Sequence, residues 1–468
     1  MKMRLDILNN YPDYDLKQLN ELYDQAMNDF DHKIVVLDDD PTGIQKVHGI
    51  HVYTNWDEAS ILDGFQSDEK MFFILTNSRA FSKEKTEQVH KDITNRVQRV
   101  SKQLDKPFLI ISRSDSTLRG HFPLETETIN ATLGNSADGE IIIPFFKEGG
   151  RYTIENIHYV EKDGALVPAA ETEFAKDRTF GFTKSHLGEY VEEKSQGRFK
   201  QKDVTYIALD DLRAVDIEKI TEQLMGIEGF NKVIVNAISD DDLKVFSIAL
   251  IKAIENGKQF LYRTAASFTK IIGHISDKDL LSSEQMILGS KKSGGLIIVG
   301  SHVNKTTQQL NELLKLDAVR PIEFNSDLVL DEEKFEAEIQ ARIQELDEDI
   351  RNGQTCAIYT KRERLDLGEG MAEKELELSV KISDGLTRII KSLTSVPKYI
   401  IAKGGITSSE IGTTALGVRK AVVLGQALPG IPVWRTDRGS KYPNMPYIIF
   451  PGNVGAVRDL YTIAKSLE

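Results

Sequence analysis

The apolar run Ile34 to Leu37 ends in Asp38-Asp39-Asp40-Pro41-Thr42-Gly43. Three successive carboxylates repel one another and add nothing to a strand end, so they suit a proton acceptor, a metal or the recognition of several hydroxyls. A turn with a capping aspartate before Pro41 is the structural alternative. Met71 to Leu75 leads into Thr76-Asn77-Ser78-Arg79, and Phe108 to Ile111 leads into Ser112-Arg113-Ser114-Asp115-Ser116-Thr117-Leu118-Arg119-Gly120. The second string mixes hydroxyls, guanidinium groups and a carboxylate, which fits a hydroxylated anion: arginine clamps a carboxylate or phosphate while aspartate accepts from hydroxyls. After Ile141 to Ile143 come Lys147, the pair Gly149-Gly150 and Arg151. Paired glycines let backbone approach a ligand, and the two basic residues offer charge to the same place.

The second half holds three more junctions of this kind: Gly300-Ser301-His302-Val303-Asn304-Lys305-Thr306, Lys403-Gly404-Gly405-Ile406-Thr407-Ser408-Ser409 and Pro451-Gly452-Asn453-Val454-Gly455. Each joins glycine to hydroxyl or amide side chains ahead of a helix, and together they describe a phosphate cradle. Taken singly, each is also what a helix cap needs. None matches the P-loop pattern, no G-x-G-x-x-G opens a dinucleotide fold, and the nine histidines form no zinc spacing. His121 and His302 lie near the polar loops, but a lone histidine is more often structural.

These loops need elements to hold them. Short runs rich in Ile, Val, Leu and Phe recur through the chain, each followed by a polar loop and a helix-like stretch, which is the pattern of buried parallel strands. The fold class is therefore α/β, with two three-layer domains, mainly parallel sheets and a cleft between them. The polar segment Lys291-Lys292-Ser293-Gly294-Gly295 separates the two strand series and sets the expected domains at 1–290 and 291–468. Between Asp331 and Gly353, Phe335, Ile339, Ile343, Leu346 and Ile350 recur at helical spacing. The other face of this helix is acidic. Asp331 to Ile350 holds nine carboxylates against Lys334 and Arg342, a net of −7, which reads as a solvated face.

The chain has 468 residues, enough for a sizeable core, and 59 Lys plus Arg against 72 Asp plus Glu, a formal charge of −13. That balance disfavours nucleic acid or an anionic membrane as partner. A small anion remains possible, because Arg79, Arg113, Arg119, Lys147, Arg151 and Lys403 stand in the strand-end loops. Cys356 is the single cysteine, so no disulfide framework or Cys-based metal site is expected, and a reducing cytoplasm is the expected compartment. The polar N-terminus does not read as a signal peptide, and no apolar run is long enough for a membrane span.

Asp39-Asp40-Pro41-Thr42-Gly43, Asp115-Ser116-Thr117-Leu118-Arg119-Gly120, Gly149-Gly150-Arg151, Gly404-Gly405-Ile406-Thr407 and Gly452-Asn453-Val454-Gly455 occur in the order seen in the four-carbon acid sugar kinase family, which the chain resembles from about Ile34 to about Leu460. The resemblance implies ATP-dependent phosphorylation of a hydroxyl of a small sugar acid across the cleft, with ATP and Mg²⁺ as cofactors. It implies an N-terminal acid-sugar domain with contacts from Asp39, Asp40, Arg79, Asp115, Arg119 and Arg151, and Thr42, Arg113, Ser116 and Lys147 of the same loops are further candidates for substrate contact. The implied nucleotide contacts are Ser301, Gly404, Gly405, Thr407, Gly452, Asn453 and Gly455, with Asn304 and Lys403 of the same loops as further candidates. Asp39 or Asp115 would be the base; no metal ligand is assigned, and a homodimer is an open expectation. The chain departs from the family where a usual lysine is Arg113, where an acidic residue after the glycine pair is Ile406, and where small residues are replaced by Ile44 and Gln45. These departures point to another sugar pocket, or to a non-catalytic sensor of sugar acid and nucleotide. A further reading takes Val35 to Thr42 as the D-x-D-x-T signature of haloacid-dehalogenase-like phosphatases, with Asp38 as nucleophile and Thr76, Asp210 and Asp211 as accessories.

Overall fold

A computed structural model describes residues 3–289, 292–363 and 372–468. The chain divides into two units, Met1–Asp277 and Lys278–Glu468. The boundary expected at Lys291 lies outside the described residues. The division falls earlier because Leu281 and Met286 are buried in the second unit's core, and Lys278 Nζ donates to the Leu424 carbonyl at 2.7 Å.

The first unit carries β1 (Met3–Arg4), β2 (Lys33–Asp38), β3 (His51–Tyr53), β4 (Met71–Leu75), β5 (Phe108–Arg113), β6 (Gly139–Ile143), β7 (Arg151–Ile154), β8 (Ile157–Lys162), β9 (Ala165–Pro168), β10 (Thr205–Ile207), β11 (Asn231–Val235) and β12 (Phe260–Thr264). Eight of these form a parallel run in the order β10-β11-β6-β12-β5-β2-β4-β3. The continuous apolar stretches predict this, since a parallel strand is covered on both faces. The helix Lys83–Leu104 covers one face with Val89, Ile93, Val97 and Val100, spaced three or four apart, against Val35, Leu37, Phe72, Ile74 and Ile110. Ser82 caps it by accepting from the Lys85 amide at 3.3 Å. A second, antiparallel sheet, β1-β9-β8-β7, was not expected.

The second unit carries β13 (Leu296–Val299), β14 (Val319–Phe324), β15 (Thr355–Thr360), β16 (Ile400–Lys403), β17 (Lys420–Leu428), β18 (Ile431–Thr436) and β19 (Pro446–Phe450). Their order is β17-β18-β19-β16-β13-β15-β14, parallel from β19 to β14 and antiparallel for β17-β18 and β18-β19. The acidic helix spans Glu332–Arg351 and buries Ile339, Leu346 and Ile350. Its polar side is less solvated than the charge pattern predicts. Asp349 pairs with Arg320 at 2.5 Å, and Asp347 accepts from the Thr394 and Ser395 amides at 2.8 and 2.7 Å.

Each unit places its chemistry by the same topological device. In the first, the chain passes from β2 through β3 to β4 on one side of β2, then crosses to β5 on the other. In the second, it passes from β13 through β14 to β15, then crosses to β16 on the far side of β13. Where the winding direction reverses, neighbouring loops diverge at the carboxyl ends of the strands and leave room for a ligand. The polar loops singled out in the sequence leave these strands at those ends.

Candidate functional site

In the first unit the loop after β2 meets the loops after β4 and β5. Arg79 reaches back to Asp39 with two bonds, Nη2 to Oδ1 at 2.6 Å and Nε to Oδ2 at 3.1 Å, and to Asp40 Oδ2 at 3.4 Å. Arg113 Nη1 lies 3.4 Å from Asp38 and 3.8 Å from Asp39. Asp40 Oδ1 accepts from both the amide and the hydroxyl of Thr42, at 2.8 and 2.6 Å, which fixes the turn after Pro41. Asp38 is 1% exposed, and a Cβ at Gly43 would strike its carboxylate. Burial pushes Asp38 up to about 8 against Arg113, with Asp39 and Asp40 adding to the rise. Asp39, 3% exposed, is also pushed up by burial, against the pull of Arg79.

Asp115 behaves oppositely. Burial disfavours its charge, but Arg119 and Arg79, with hydrogen bonds from Thr117 and Arg119, outweigh it and hold the carboxyl well below the usual range. Arg119 Nε donates to Asp115 at 2.6 Å. Phe174 lies under both Arg119 and Arg151, with ring-to-guanidinium distances of 5.2 and 5.7 Å. Arg151 is 9% exposed, and its buried Nε has no hydrogen-bond partner. Gly149 makes room for it, since a Cβ there would come within 2.6 Å of Arg151 Nη1. The two halves of the cluster meet at Gly120, whose φ of +114° brings it beside Asp39, where a Cβ would lie 3.4 Å from Oδ2. Ser116 is buried and gives its carbonyl to His158 Nε2 at 2.7 Å. Lys147 is exposed in the turn that leads to Arg151.

Sequence reasoning missed the groups that hold these loops. Glu125 accepts from Ser78 at 2.6 Å and Ser112 at 3.2 Å, while Arg263, at the end of β12, donates to Ser114 at 2.9 Å and to the Arg119 carbonyl at 3.0 Å. Arg263 is 149 residues from Ser114 but reaches it because β12 pairs with β5. The available signal was a charged residue inside the apolar Phe260 to Thr264 strand.

The second unit gathers glycines. A Cβ at Gly300 would fall 2.5 Å from Thr407 Oγ1, and one at Gly404, φ +115°, would fall 2.8 Å from Ser301 Cβ. Gly452 packs by Ser301, and Gly455 (φ +84°) packs by Asp459. Ser301 Oγ accepts weakly from the Val303 amide and from Thr306 Oγ1, both at 3.4 Å. Gly405 opens the helix Gly405–Glu410, and Asn304 opens Asn304–Leu313. Asn304 and Asn453 are exposed at the same ends of the strands. Lys403 departs from expectation. It is fully buried and donates to the Pro451 carbonyl and, at 3.3 Å, to that of Gly452. Burial pushes its pKa down to about 6, with Lys305 adding to the fall, and its hydrogen bonds go to the loop carbonyls. Ile406 is 65% exposed and offers no oxygen where the family has an acid.

Among the described residues no group of three or more His, Cys, Asp or Glu is arranged to hold a metal. The phosphatase constellation is not assembled either. Asp38 is sealed beneath Gly43, and Asp210 and Asp211 follow β10, five strands from β2, or about 24 Å at sheet spacing.

The fold and these loops define a protein that joins a sugar-binding domain to a nucleotide-binding domain. Residues 34–272 match the family model for the sugar-binding N-terminal domain, and 296–460 match that for the nucleotide-binding C-terminal domain. The chain belongs to the four-carbon acid sugar kinase family. Similar solved structures include a Salmonella typhimurium LT2 protein provisionally called a tRNA synthase, at 14% identity and a TM-score of 0.63, covering 92% of this chain and 98% of that one. Another is a Haemophilus influenzae protein of the family DUF1537, at 15% identity and a TM-score of 0.59, covering 92% and 99%. At these identities the likeness is one of fold. No curated protein matches the chain.

Proposed function

We propose that this protein is an ATP-dependent kinase that phosphorylates a hydroxyl of a small, four-carbon-type sugar acid. The observation that supports the reading is the division of labour in the first unit: a carboxyl pushed up by burial, Asp39, is held by Arg79, while Arg119 and Arg151 share the Phe174 ring beside Asp115, and Arg151 keeps an unspent buried donor. A raised carboxyl suits proton acceptance, and arginines stacked on an aromatic ring suit a carboxylate.

Arg119 and Arg151 hold the acid group of the substrate, and Asp40 and Thr42 face its hydroxyls. Asp39 accepts the proton as the hydroxyl oxygen bonds to the terminal phosphorus and the bond to ADP breaks. Asp115 is too well paired to serve as base and instead fixes Arg119. The glycine loops around Ser301, Gly404, Thr407, Gly452 and Gly455 cradle the phosphates with backbone amides. Bound with the nucleotide, Mg²⁺ would supply charge neutralisation on the phosphate oxygens.

A coupled ADP-release screen over four-carbon and related sugar acids tests this. ADP formed only with a sugar acid supports the kinase. Tight binding of both ligands without ADP over hours would mark a sensor, and phosphate release without nucleotide would mark a phosphatase.

A further inference from the structure

Gln309 lies on the buried side of the helix Asn304–Leu313 and is 0% exposed. Its Nε2 donates twice into the loop after β19, to the Val454 carbonyl at 3.2 Å and to the Ala456 carbonyl at 2.9 Å. Its Oε1 is sealed from water and meets no donor. A buried amide with an idle acceptor is unfavourable, so a position that only packed would suit leucine or methionine better. The two donor bonds are what a glutamine adds here.

Two more side chains hold the same loop. Lys403, fully buried at the end of β16, donates to the Pro451 carbonyl and, at 3.3 Å, to that of Gly452. Thr306, also buried and on the same helix as Gln309, adds a long bond to the Gly452 carbonyl at 3.4 Å. The carbonyls of Pro451, Gly452 and Val454 therefore point at buried donors. A trans peptide is planar, and its C=O points opposite to the N–H that follows. These three peptides are trans, so the amides of Gly452, Asn453 and Gly455 face away from the donors. None of the three donates to a protein acceptor, whereas the next amide, Ala456, is taken by Asp459 at 2.7 Å. Asn453 is exposed on this open side, and Gly452 packs by Ser301 of the first glycine loop. Successive free amides on one turn form a donor set suited to a phosphate.

We infer that Gln309 is a positioning residue for the nucleotide: with Lys403 and Thr306 it holds the carbonyls of the 451–456 loop inward, and so presents the amides of Gly452, Asn453 and Gly455 to the phosphate chain. The inference rests on the proposed nucleotide role of this unit. The position is hidden in sequence because Thr306-Thr307-Gln308-Gln309 reads as an ordinary polar stretch of helix.

Two measurements on the full-length protein test it. In wild type, amide hydrogen exchange across 452–455 should be fast without nucleotide, slowed by ATP and unchanged by adenosine. Calorimetric titration of ATP and of adenosine then compares wild type with Gln309→Met and Gln309→Glu. Gln309→Met keeps the length and packing but removes both donor bonds, and should weaken ATP by roughly five- to a hundredfold, the range for two lost hydrogen bonds. Adenosine affinity should stay as in wild type. Gln309→Glu keeps the shape but turns an acceptor toward the two carbonyls, and should lose at least as much. The exchange measurement needs no variant and decides alone if neither variant folds. Unchanged ATP affinity in the variants, equal loss of ATP and adenosine, or ATP binding without protection of these amides would overturn the inference and leave the nucleotide role standing. A wild-type protein that binds no ATP would overturn both.

Discussion

Asp39 and Asp115 both lie largely buried in strand-end loops, yet their surroundings push them apart. Asp39 is raised by burial despite Arg79, and Asp115 is lowered by Arg119 and Arg79 despite burial. Groups driven in opposite directions take different roles. Asp39→Asn should therefore cut kcat by roughly 10²–10⁴-fold, the span of general-base catalysis, with a smaller change in KM for the sugar acid. Asp115→Asn should act mainly on that KM, because Arg119 loses its anchor. The base must be ionised to work, so kcat/KM should rise with pH through a value above the ordinary carboxylate 3.8, and Asp39→Asn should remove this acid limb. A pH profile of both proteins checks it. These acids and Arg79, Arg119 and Arg151 were legible in sequence because each interrupts an apolar run with groups that a strand end does not need. Glu125, His158 and Arg263 were not, because their partners are set by strand order and not by spacing. Lys403 reads in sequence as part of an open loop, and the structure buries it at the end of β16.

The elements that carry the loops were readable wherever strands are covered on both faces. Met71–Leu75 occurs with the expected bounds, and the helix over 331–353 occurs as Glu332–Arg351. Other strands escaped because they are short or interrupted. Val319–Phe324 contains Pro321, which argues against a strand, and β7 to β9 are only four to six residues long and joined by tight turns. Asp163-Gly164, with φ of +52° and +75°, was the available hairpin signal between β8 and β9. The glycine loops give the prediction at this scale. Gly404→Ala meets both a positive φ and Ser301 Cβ at 2.8 Å, and strain of this kind costs about 1–3 kcal/mol. Denaturant titration should show that loss, and calorimetry should show weakened ATP binding with sugar-acid affinity unchanged.

At the scale of the molecule, net charge and length were informative as limits. The −13 disfavours a polyanion-binding surface, while the arginines sit where the β2 and β5 loops diverge. The two strand series pointed to two domains, and the chain divides into two units after Asp277, with Leu281 and Met286 packed in the second core. Each unit supplies one set of loops at one reversal of winding, so the account assigns one reactant to each. Its central claim is group transfer from the nucleotide to the sugar acid. Phosphorus-31 NMR of the full-length protein with ATP, Mg²⁺ and the best sugar acid from the screen follows that transfer directly. The account predicts a new phosphomonoester signal that grows in step with ADP and is nearly absent with Asp39→Asn. ADP with inorganic phosphate alone, or a phosphomonoester signal that persists undiminished in Asp39→Asn, would contradict it.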